Sequence, residues 1–129
     1  MAQIESMILC DTNIIIEAFK GNSATINELE NIGLENIALS VITEMELYFG
    51  ALNKRELKEI KKHLKSLQVL HINPEISQAS VDLIEKYSKS HRLQIPDAII
   101  AATSMVNKVE LLTYNIKDFK YIQGLRLYQ

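Results

Sequence analysis

Short apolar runs alternate along the chain with longer segments in which apolar residues recur every three or four positions. The apolar runs predict buried β-strands at residues 7–10, 36–39, 69–72, 109–113 and 125–128. Helical spacing and capping residues predict helices at residues 14–19, 24–32, 40–52, 53–67 and 74–90, and from residue 96 onward. Residues 115–119 fit a loop or a single helical turn.

Strands that are apolar throughout and separated by helices are typical of a parallel sheet covered on both faces. The pattern therefore predicts an α/β fold, a three-layer α/β/α domain with a central, mostly parallel sheet. The 129 residues, 47% of them hydrophobic, suit one domain over residues 1–129. Residues 1–6 are interpreted as an extension before the first strand.

Composition excludes several classes of protein. The single cysteine, Cys10, rules out an internal disulfide, and His63, His71 and His91 lie too far apart for a local zinc motif. No leader segment precedes the first strand, and no apolar stretch approaches the ~20 residues of a membrane span, so we expect a cytoplasmic protein without membrane contact. A net charge of -2 argues against a protein that only coats nucleic acid.

The predicted helix at residues 53–67 is the one basic segment. It carries six lysines and arginines against two glutamates, a local charge of +4. Such a helix could follow an RNA backbone, but basic amphipathic helices are more often ordinary solvated surfaces, and we favour that interpretation.

Two aspartates stand at positions where chemistry is expected. Asp11 directly follows the first strand, and ligands of parallel sheets gather outside the carboxyl ends of the strands. A plain helix cap is an equally good interpretation of Asp11 alone. Asp97 begins a helix that is apolar on nearly every side, which predicts a carboxylate carried into the interior, where it needs partners.

The helix at residues 40–52 has two acids, Glu44 and Glu46, which point about 200° apart at ~100° per residue, so only one can enter a compact site. Periodicity does not choose between them. Ser40 is predicted to cap this helix, and Thr43 is interpreted as an incidental polar residue. The predicted apolar face, with Leu47 behind it, consists of Val41, Ile42, Met45, Tyr48, Phe49 and Leu52. Apolar surface beyond the needs of one core indicates a partner.

Three motifs in order make the chain resemble the PIN-domain nucleases, and in particular the VapC-type toxins of bacterial type II toxin–antitoxin systems. They are LCDTN at residues 9–13, ELYFG at 46–50 and PDAIIAA at 96–102, followed by LTYN at 112–115. The resemblance runs from about residue 7 to the C-terminus. It implies a PIN-like α/β/α fold and a hydrolase that cleaves RNA.

The resemblance also implies the site residues. It assigns Asp11, Glu46 and Asp97 as catalytic, metal-binding carboxylates, and it selects Glu46 because this acid stands four residues before Gly50. The family's fourth acid is replaced here by Asn115, and Asp118 three residues later is a candidate substitute. Candidates for orienting these ligands from behind are Thr12, Asn13, Thr113 and Asn115.

Clustered carboxylates repel one another unless a cation balances them, and Mg²⁺ prefers oxygen ligands. Mg²⁺ or Mn²⁺ is therefore the expected cofactor, acting in phosphodiester hydrolysis. The resemblance further implies an RNA substrate, a small antitoxin protein as partner and a homodimer.

Two other functions stay open on the sequence. One is a PIN-like interaction module with a weakened site, for which Asn115 would be the sign. The other is a phosphatase with Asp11 as nucleophile, although such enzymes usually carry a second aspartate where Asn13 stands.

Overall fold

Four short strands pair in parallel at the centre of the protein. The computed structural model describes residues 7–129, so the extension predicted for residues 1–6 lies outside the described part. In chain order the strands are β1 (Ile8–Cys10), β2 (Ile37–Ser40), β3 (Gln68–Leu70) and β4 (Glu110–Leu112). Across the sheet their order is β3-β2-β1-β4, with every pair parallel, which confirms the predicted sheet.

The helices found match those predicted, with ends shifted by no more than three residues. They are α1 (Thr12–Phe19), α2 (Ser23–Ile32), α3 (Val41–Phe49), α4 (Lys54–Leu64), α5 (Pro74–His91), α6 (Ile95–Asn107) and the single turn α7 (Ile116–Phe119). Polar caps explain several starts: the side chains of Ser40, Asn53 and Asn73 each accept a bond from a first-turn amide of α3, α4 and α5. Within residues 7–129, none of the helices is long and apolar enough to cross a membrane.

Side chains that alternate along the strands enter two separate cores. Leu9, Ala38 and Leu111 pack on one face of the sheet with residues of α5 and α6. Ile8 and Leu39 belong to the core on the opposite face, with residues of α1, α3 and α4. Because successive residues of a strand point to opposite faces, both faces are covered, as the predicted three-layer fold requires.

The predicted final strand at residues 125–128 was wrong. Only Leu127 enters the sheet, as an isolated parallel bridge to Leu111. Two hydrogen bonds frame this bridge, from the Leu111 amide to the Arg126 carbonyl and from the Tyr128 amide to the Leu111 carbonyl, both 2.9 Å. The chain reaches this position through turns that end at Gly124, where φ is +90°. Residues 125–128 have the apolar spacing of a strand, but the turns before them leave only Leu127 in position to pair with Leu111.

The predicted apolar face of α3 was wrong in part: Ile42 and Tyr48 do pack against the cores, but other members are exposed. Thr43 and Leu47 are the buried residues of this helix, whereas Met45, Phe49 and Leu52 are exposed, Phe49 to 94%. Thr43 is buried completely because its hydroxyl is hydrogen-bonded to that of Thr12, 2.9 Å away. A polar residue with a hydrogen-bond partner across the site is thus buried in α3, which differs from the orientation that hydrophobicity alone predicts. The sequence also predicted exposed apolar surface on this helix. Such surface exists, but it lies on the side that was predicted to face the core.

The orientation of α3 can be tested by truncating one side chain on each of its faces. We expect Leu47→Ala to lower the free energy of unfolding by about 2–5 kcal/mol, because it removes a buried side chain. We expect Phe49→Ala to change it by no more than about 0.5 kcal/mol, because the ring is exposed. Urea unfolding of both variants measures this difference, and equal losses would contradict the orientation described.

Candidate active site

The candidate site lies where β1 and β4 end side by side. Cys10 and Leu112 are register partners in these parallel strands, so Asp11 and Thr113 follow them at the same edge of the sheet. The Asp11 amide donates to the Leu112 carbonyl at 2.9 Å, which extends the pairing by one bond. This is the edge at which parallel sheets bind ligands.

Asp11 is almost fully buried, with 4% of its surface exposed, and both of its carboxylate oxygens have a partner. Oδ1 accepts a bond from the Thr12 amide at 2.8 Å, and Oδ2 accepts one from the Thr113 hydroxyl at 2.8 Å. The first bond caps α1, so Asp11 is both a helix cap and a member of the site. The sequence had left these two interpretations as alternatives.

The pKa of Asp11 is raised above its ordinary value. Burial is the main cause, and the charges of Glu46 and Asp118 raise the pKa further. The bonds from Thr113 and Thr12 act in the opposite direction because they stabilise the ionised form. Asp11 is therefore a carboxylate that is held in one orientation among like charges.

Glu46, and not Glu44, is hydrogen-bonded to the residue next to Asp11. Its Oε1 accepts a 2.7 Å bond from the hydroxyl of Thr12, the residue that follows Asp11. The carboxylate of Glu44 instead accepts a 3.0 Å bond from the Tyr48 hydroxyl on its own helix. Family resemblance had selected Glu46 where periodicity could not.

Thr43 was missed as a member of the site. It is not incidental, because its hydroxyl contacts the Thr12 hydroxyl that holds Glu46. The available signal was its position three residues before Glu46, which places both side chains on one side of the helix. Asn13 behaves in the opposite way: it is exposed, and no side-chain hydrogen bond joins it to the site within the described residues.

Asp97 lies in the first turn of α6 and is half-buried, not carried fully into the interior as expected. The next residue, Ala98, is the one that enters the core. The pKa of Asp97 is raised from 3.8 to about 6, first by burial and then by the charges of Asp11, Asp118 and Glu46. Partial exposure leaves this carboxylate accessible to a ligand.

Asn115 and Asp118 take different positions in the segment after β4. The Asn115 amide donates to the Thr113 hydroxyl at 2.9 Å, and its carbonyl accepts from the Asp118 amide at 2.9 Å. Asn115 therefore supports the loop through its backbone. Asp118 is exposed on α7, and its charge raises the pKa values of both Asp11 and Asp97. Which of the two residues supplies a fourth ligand stays a prediction.

We call Asp11, Glu46, Asp97 and Asp118 the carboxylate cluster. No lysine or arginine in residues 7–129 forms an ion pair with any of its members. Nor does this part of the chain contain a group of three or more acidic, histidine or cysteine side chains that is placed to hold a metal ion. Mg²⁺ and Mn²⁺ do not need one, because Mg²⁺ keeps several waters and is commonly bound through one or two carboxylates. The oxygen-only donor set therefore fits such a cation.

Cys10 lies beside the cluster but is not available as a nucleophile. It is completely buried, and burial together with the charges of Asp11 and Glu28 raises the pKa of its thiol to about 12. Since the thiolate is the reactive form, this side chain acts as a small apolar residue, as its place in the strand predicted.

Comparison with known proteins places the chain and its fold in a family. Residues 8–125 match the model of the PIN domain. Ribonuclease VapC10 of Mycobacterium tuberculosis is 30% identical over 122 residues, which span 93% of this chain and 91% of that protein. The chain therefore belongs to the PIN-domain family. Within this family, the curated relatives that it matches carry the name VapC.

Solved structures give the same placement. A chain of a toxin–antitoxin complex from Klebsiella pneumoniae is 35% identical, with a TM-score of 0.78 over 92% of this chain and 94% of that one. VapBC2 from Rickettsia felis, solved with a DNA fragment from its promoter, is 27% identical, with a TM-score of 0.81 over 95% and 97%. The α/β/α fold predicted from the sequence is the fold of these VapC structures.

The raised pKa of Asp97 predicts how stability depends on pH when no metal is bound. The ordinary pKa is 3.8 and the value in the folded protein is about 6, so the folded state binds the proton more tightly than the unfolded chain. Wild-type stability should therefore fall as pH rises between these two values. In EDTA at pH 7.5, Asp97→Asn should be more stable than wild type by about 1 kcal/mol, which allows for screening of a half-exposed group.

The advantage of Asp97→Asn should disappear at about pH 3, below the ordinary pKa of 3.8, where wild-type Asp97 is largely protonated in both states. Urea unfolding across this pH range measures it, with Asp82→Asn on the exposed side of α5 as the matched control. An advantage that does not change with pH would contradict the electrostatic origin of the effect.

Proposed function

We propose that this protein is a ribonuclease that hydrolyses phosphodiester bonds in RNA and serves as the toxin of a toxin–antitoxin pair. The observation that carries the proposal is the carboxylate cluster at the carboxyl edge of a parallel sheet, with which no lysine or arginine of residues 7–129 forms an ion pair. The family of the chain and the printed names of its relatives support the same activity.

We propose Mg²⁺ or Mn²⁺ as the cofactor, held by Asp11, Glu46 and Asp97 either directly or through water, with Asp118 as a further ligand. When bound, the cation would supply an activated water and neutralise the charge that develops on the phosphate. The unbalanced carboxylates support this assignment, because a cation removes the repulsion that raises the pKa values of Asp11 and Asp97.

The residues around the cluster have distinct tasks in this proposal. Thr12 and Thr113 fix the two oxygens of Asp11, so that its remaining lone pairs point in set directions. Thr12 also holds Glu46, which is exposed and would otherwise sample many rotamers. Positioning of this kind matters because catalysis is sensitive to displacements of about 1 Å. Asn115 supports Thr113 from behind.

A small antitoxin is the proposed protein partner. A groove of about 680 Å³ lies beside Glu46 between α1, α3 and α4, with apolar lining from Ile16, Leu47 and Ile60. Two exposed apolar side chains, Phe49 and Leu52, stand at the turn between α3 and α4. The structural relatives from Klebsiella pneumoniae and Rickettsia felis are toxin–antitoxin or VapBC assemblies, which supports a partner of the same kind here.

A homodimer and a cytoplasmic location complete the proposal. The homodimer follows from the family resemblance and the location from the sequence pattern described above, and both remain predictions. Light scattering of the purified protein measures the first, and fractionation of cells that express it measures the second.

RNA cleavage tests the proposed activity directly. Single-stranded RNA should be cleaved with Mg²⁺ or Mn²⁺, and EDTA should stop the reaction. Asp11→Asn and Glu46→Gln should each lower kcat by roughly 100-fold or more, because they remove carboxylates that position the cation. Glu44→Gln is the matched control, since this acid bonds only to Tyr48 in the described structure, and it should stay within about twofold of wild type.

Metal-independent cleavage, or full activity in Asp11→Asn, would disprove the mechanism. A wild-type protein that binds RNA without cutting it would instead identify the weakened interaction module. Release of phosphate from a monoester, lost in Asp11→Asn, would identify the phosphatase.

Expression in a bacterial host tests the toxin role. Wild-type protein should arrest growth, Asp11→Asn should not, and co-expression of the product of the neighbouring gene should restore growth. Phe49→Ser should weaken capture of that product, because it places a polar group on the exposed apolar surface. Val81→Ser, at another exposed apolar position, on α5, is the control that should leave capture unchanged. Unrestricted growth with active wild-type protein would favour RNA processing over toxicity.

A further inference from the structure

Three aromatic rings pack together where α5 ends. His91 lies flat against Tyr121, with ring centroids 4.1 Å apart and planes 9° from parallel. Tyr87 meets both rings edge-on, at 5.7 Å from His91 and 5.2 Å from Tyr121. We call His91 and Tyr121 the aromatic stack. Its outer ring, that of His91, belongs neither to the two cores nor to the carboxylate cluster.

The stack is held in place by Tyr87 and by the core beneath Tyr121. Tyr87 is buried, and its hydroxyl accepts a 3.1 Å bond from the Gln123 amide in the turn that follows Tyr121. Tyr121 is half-buried and packs against the core on this side of the sheet. His91 is exposed. Since Tyr121 covers one face of the His91 ring, the exposed area includes the opposite face.

The stack lies next to the carboxylate cluster. His91 precedes Asp97 by six residues, across the short connection from α5 to α6, and Tyr121 follows Asp118 by three residues. The electrostatics agree with this placement: the pKa of Tyr121 is raised first by burial and then by the charges of Asp97 and Asp118. Tyr121 is therefore close enough to both acids to be affected by their charge.

The charge around the stack suits a phosphate backbone. Lys89 and Arg92 are exposed on either side of His91 at the end of α5. Arg92 ends the helix in the left-handed conformation, with φ at +58°. Basic side chains beside an exposed aromatic face are the combination that single-stranded nucleic acids require, since the bases stack and the phosphates pair with cations.

We propose that the exposed face of His91, backed by Tyr121, stacks a base of the single-stranded RNA next to the phosphate that the carboxylate cluster holds. This inference rests on the proposed ribonuclease function and adds a substrate contact to it. Because every base has a π-face, the contact sets the position of the strand and not its sequence. It also requires that the substrate be unpaired at this nucleotide.

Binding measurements on a non-cleaving background test the stack. In Asp11→Asn protein, fluorescence anisotropy compares a short oligoadenylate with a strand of the same length that has abasic sites. We expect Asp11→Asn protein to prefer the strand with bases. Adding His91→Ala should weaken binding to oligoadenylate by roughly 5- to 100-fold and leave binding to the abasic strand nearly unchanged. Adding His91→Phe should keep the preference, because it keeps a flat ring.

Two controls distinguish a loss of base stacking from the loss of any exposed histidine and from unfolding of the variant. His71→Ala removes an exposed histidine at the far edge of the sheet, after β3, and should leave both affinities unchanged. Thermal unfolding should show that His91→Ala protein is folded. An equal loss of affinity for both strands would assign His91 to a phosphate contact and overturn the stacking proposal, as would unchanged affinity for oligoadenylate.

Failure of this inference is distinguishable from failure of the proposed function. If His91→Ala cleaves RNA with the KM of wild type, the stack is not a substrate contact, while the ribonuclease activity stands. If wild-type protein does not cleave RNA but the base preference depends on His91, the proposed activity is wrong and the RNA contact remains. A stack that affects only the binding of a protein partner would overturn the inference.

Discussion

The two hydrogen bonds that Asp11 accepts connect the end of β1 with one neighbouring and one distant part of the chain. One bond begins α1, and the other reaches the residue after β4. Thr12 then continues the connection to α3 through Glu46 and Thr43. The edge of the sheet, the start of one helix and the middle of another are thus held in one hydrogen-bond network. Any change at Asp11 acts on the packing of these elements as well as on the chemistry of the site.

The carboxylate cluster opposes the fold that carries it. Burial and mutual repulsion raise the pKa values of Asp11 and Asp97, which means that their ionised forms are less stable in the folded protein than in water. A group of carboxylates that lowers the stability of the fold is explained by function, because functional sites commonly cost a protein stability. Two apolar cores, one on each face of the sheet, supply the stability against which this repulsion acts.

Much of the fold follows from the sequence because the strands are apolar throughout and the helix starts are marked by capping residues such as Ser40. The errors have two causes that the apolar pattern does not contain: a long-range hydrogen bond for α3, and the turns before residue 125 for the final strand. Thr43 is buried because Thr12 is beside it, and this contact set the orientation of α3. Residues 125–128 have the spacing of a strand, yet only Leu127 is in register.

The candidate site divides in the same way. Topology predicted the position of Asp11, because the end of a parallel strand is a position that local sequence can identify. Local pattern identified Asp97 as well, although it overestimated how deeply this residue is buried. The choice of Glu46 over Glu44 depended on family resemblance, since two acids on one helix are equivalent until the partner across the site is known. The aromatic stack was not predicted, because His91 and Tyr121 are distant in sequence and local periodicity does not show their contact.

The bridging position of Thr12 has a further consequence for how charge is held. A hydroxyl has one proton, and that of Thr12 is donated to Glu46. The bond between the two threonine hydroxyls must then be donated by Thr43, so the proton order runs from Thr43 through Thr12 to the glutamate. Such an ordered chain of dipoles directs the Thr12 hydroxyl at the Glu46 carboxylate. A buried threonine on α3 thus helps to orient a side chain to which it is not hydrogen-bonded.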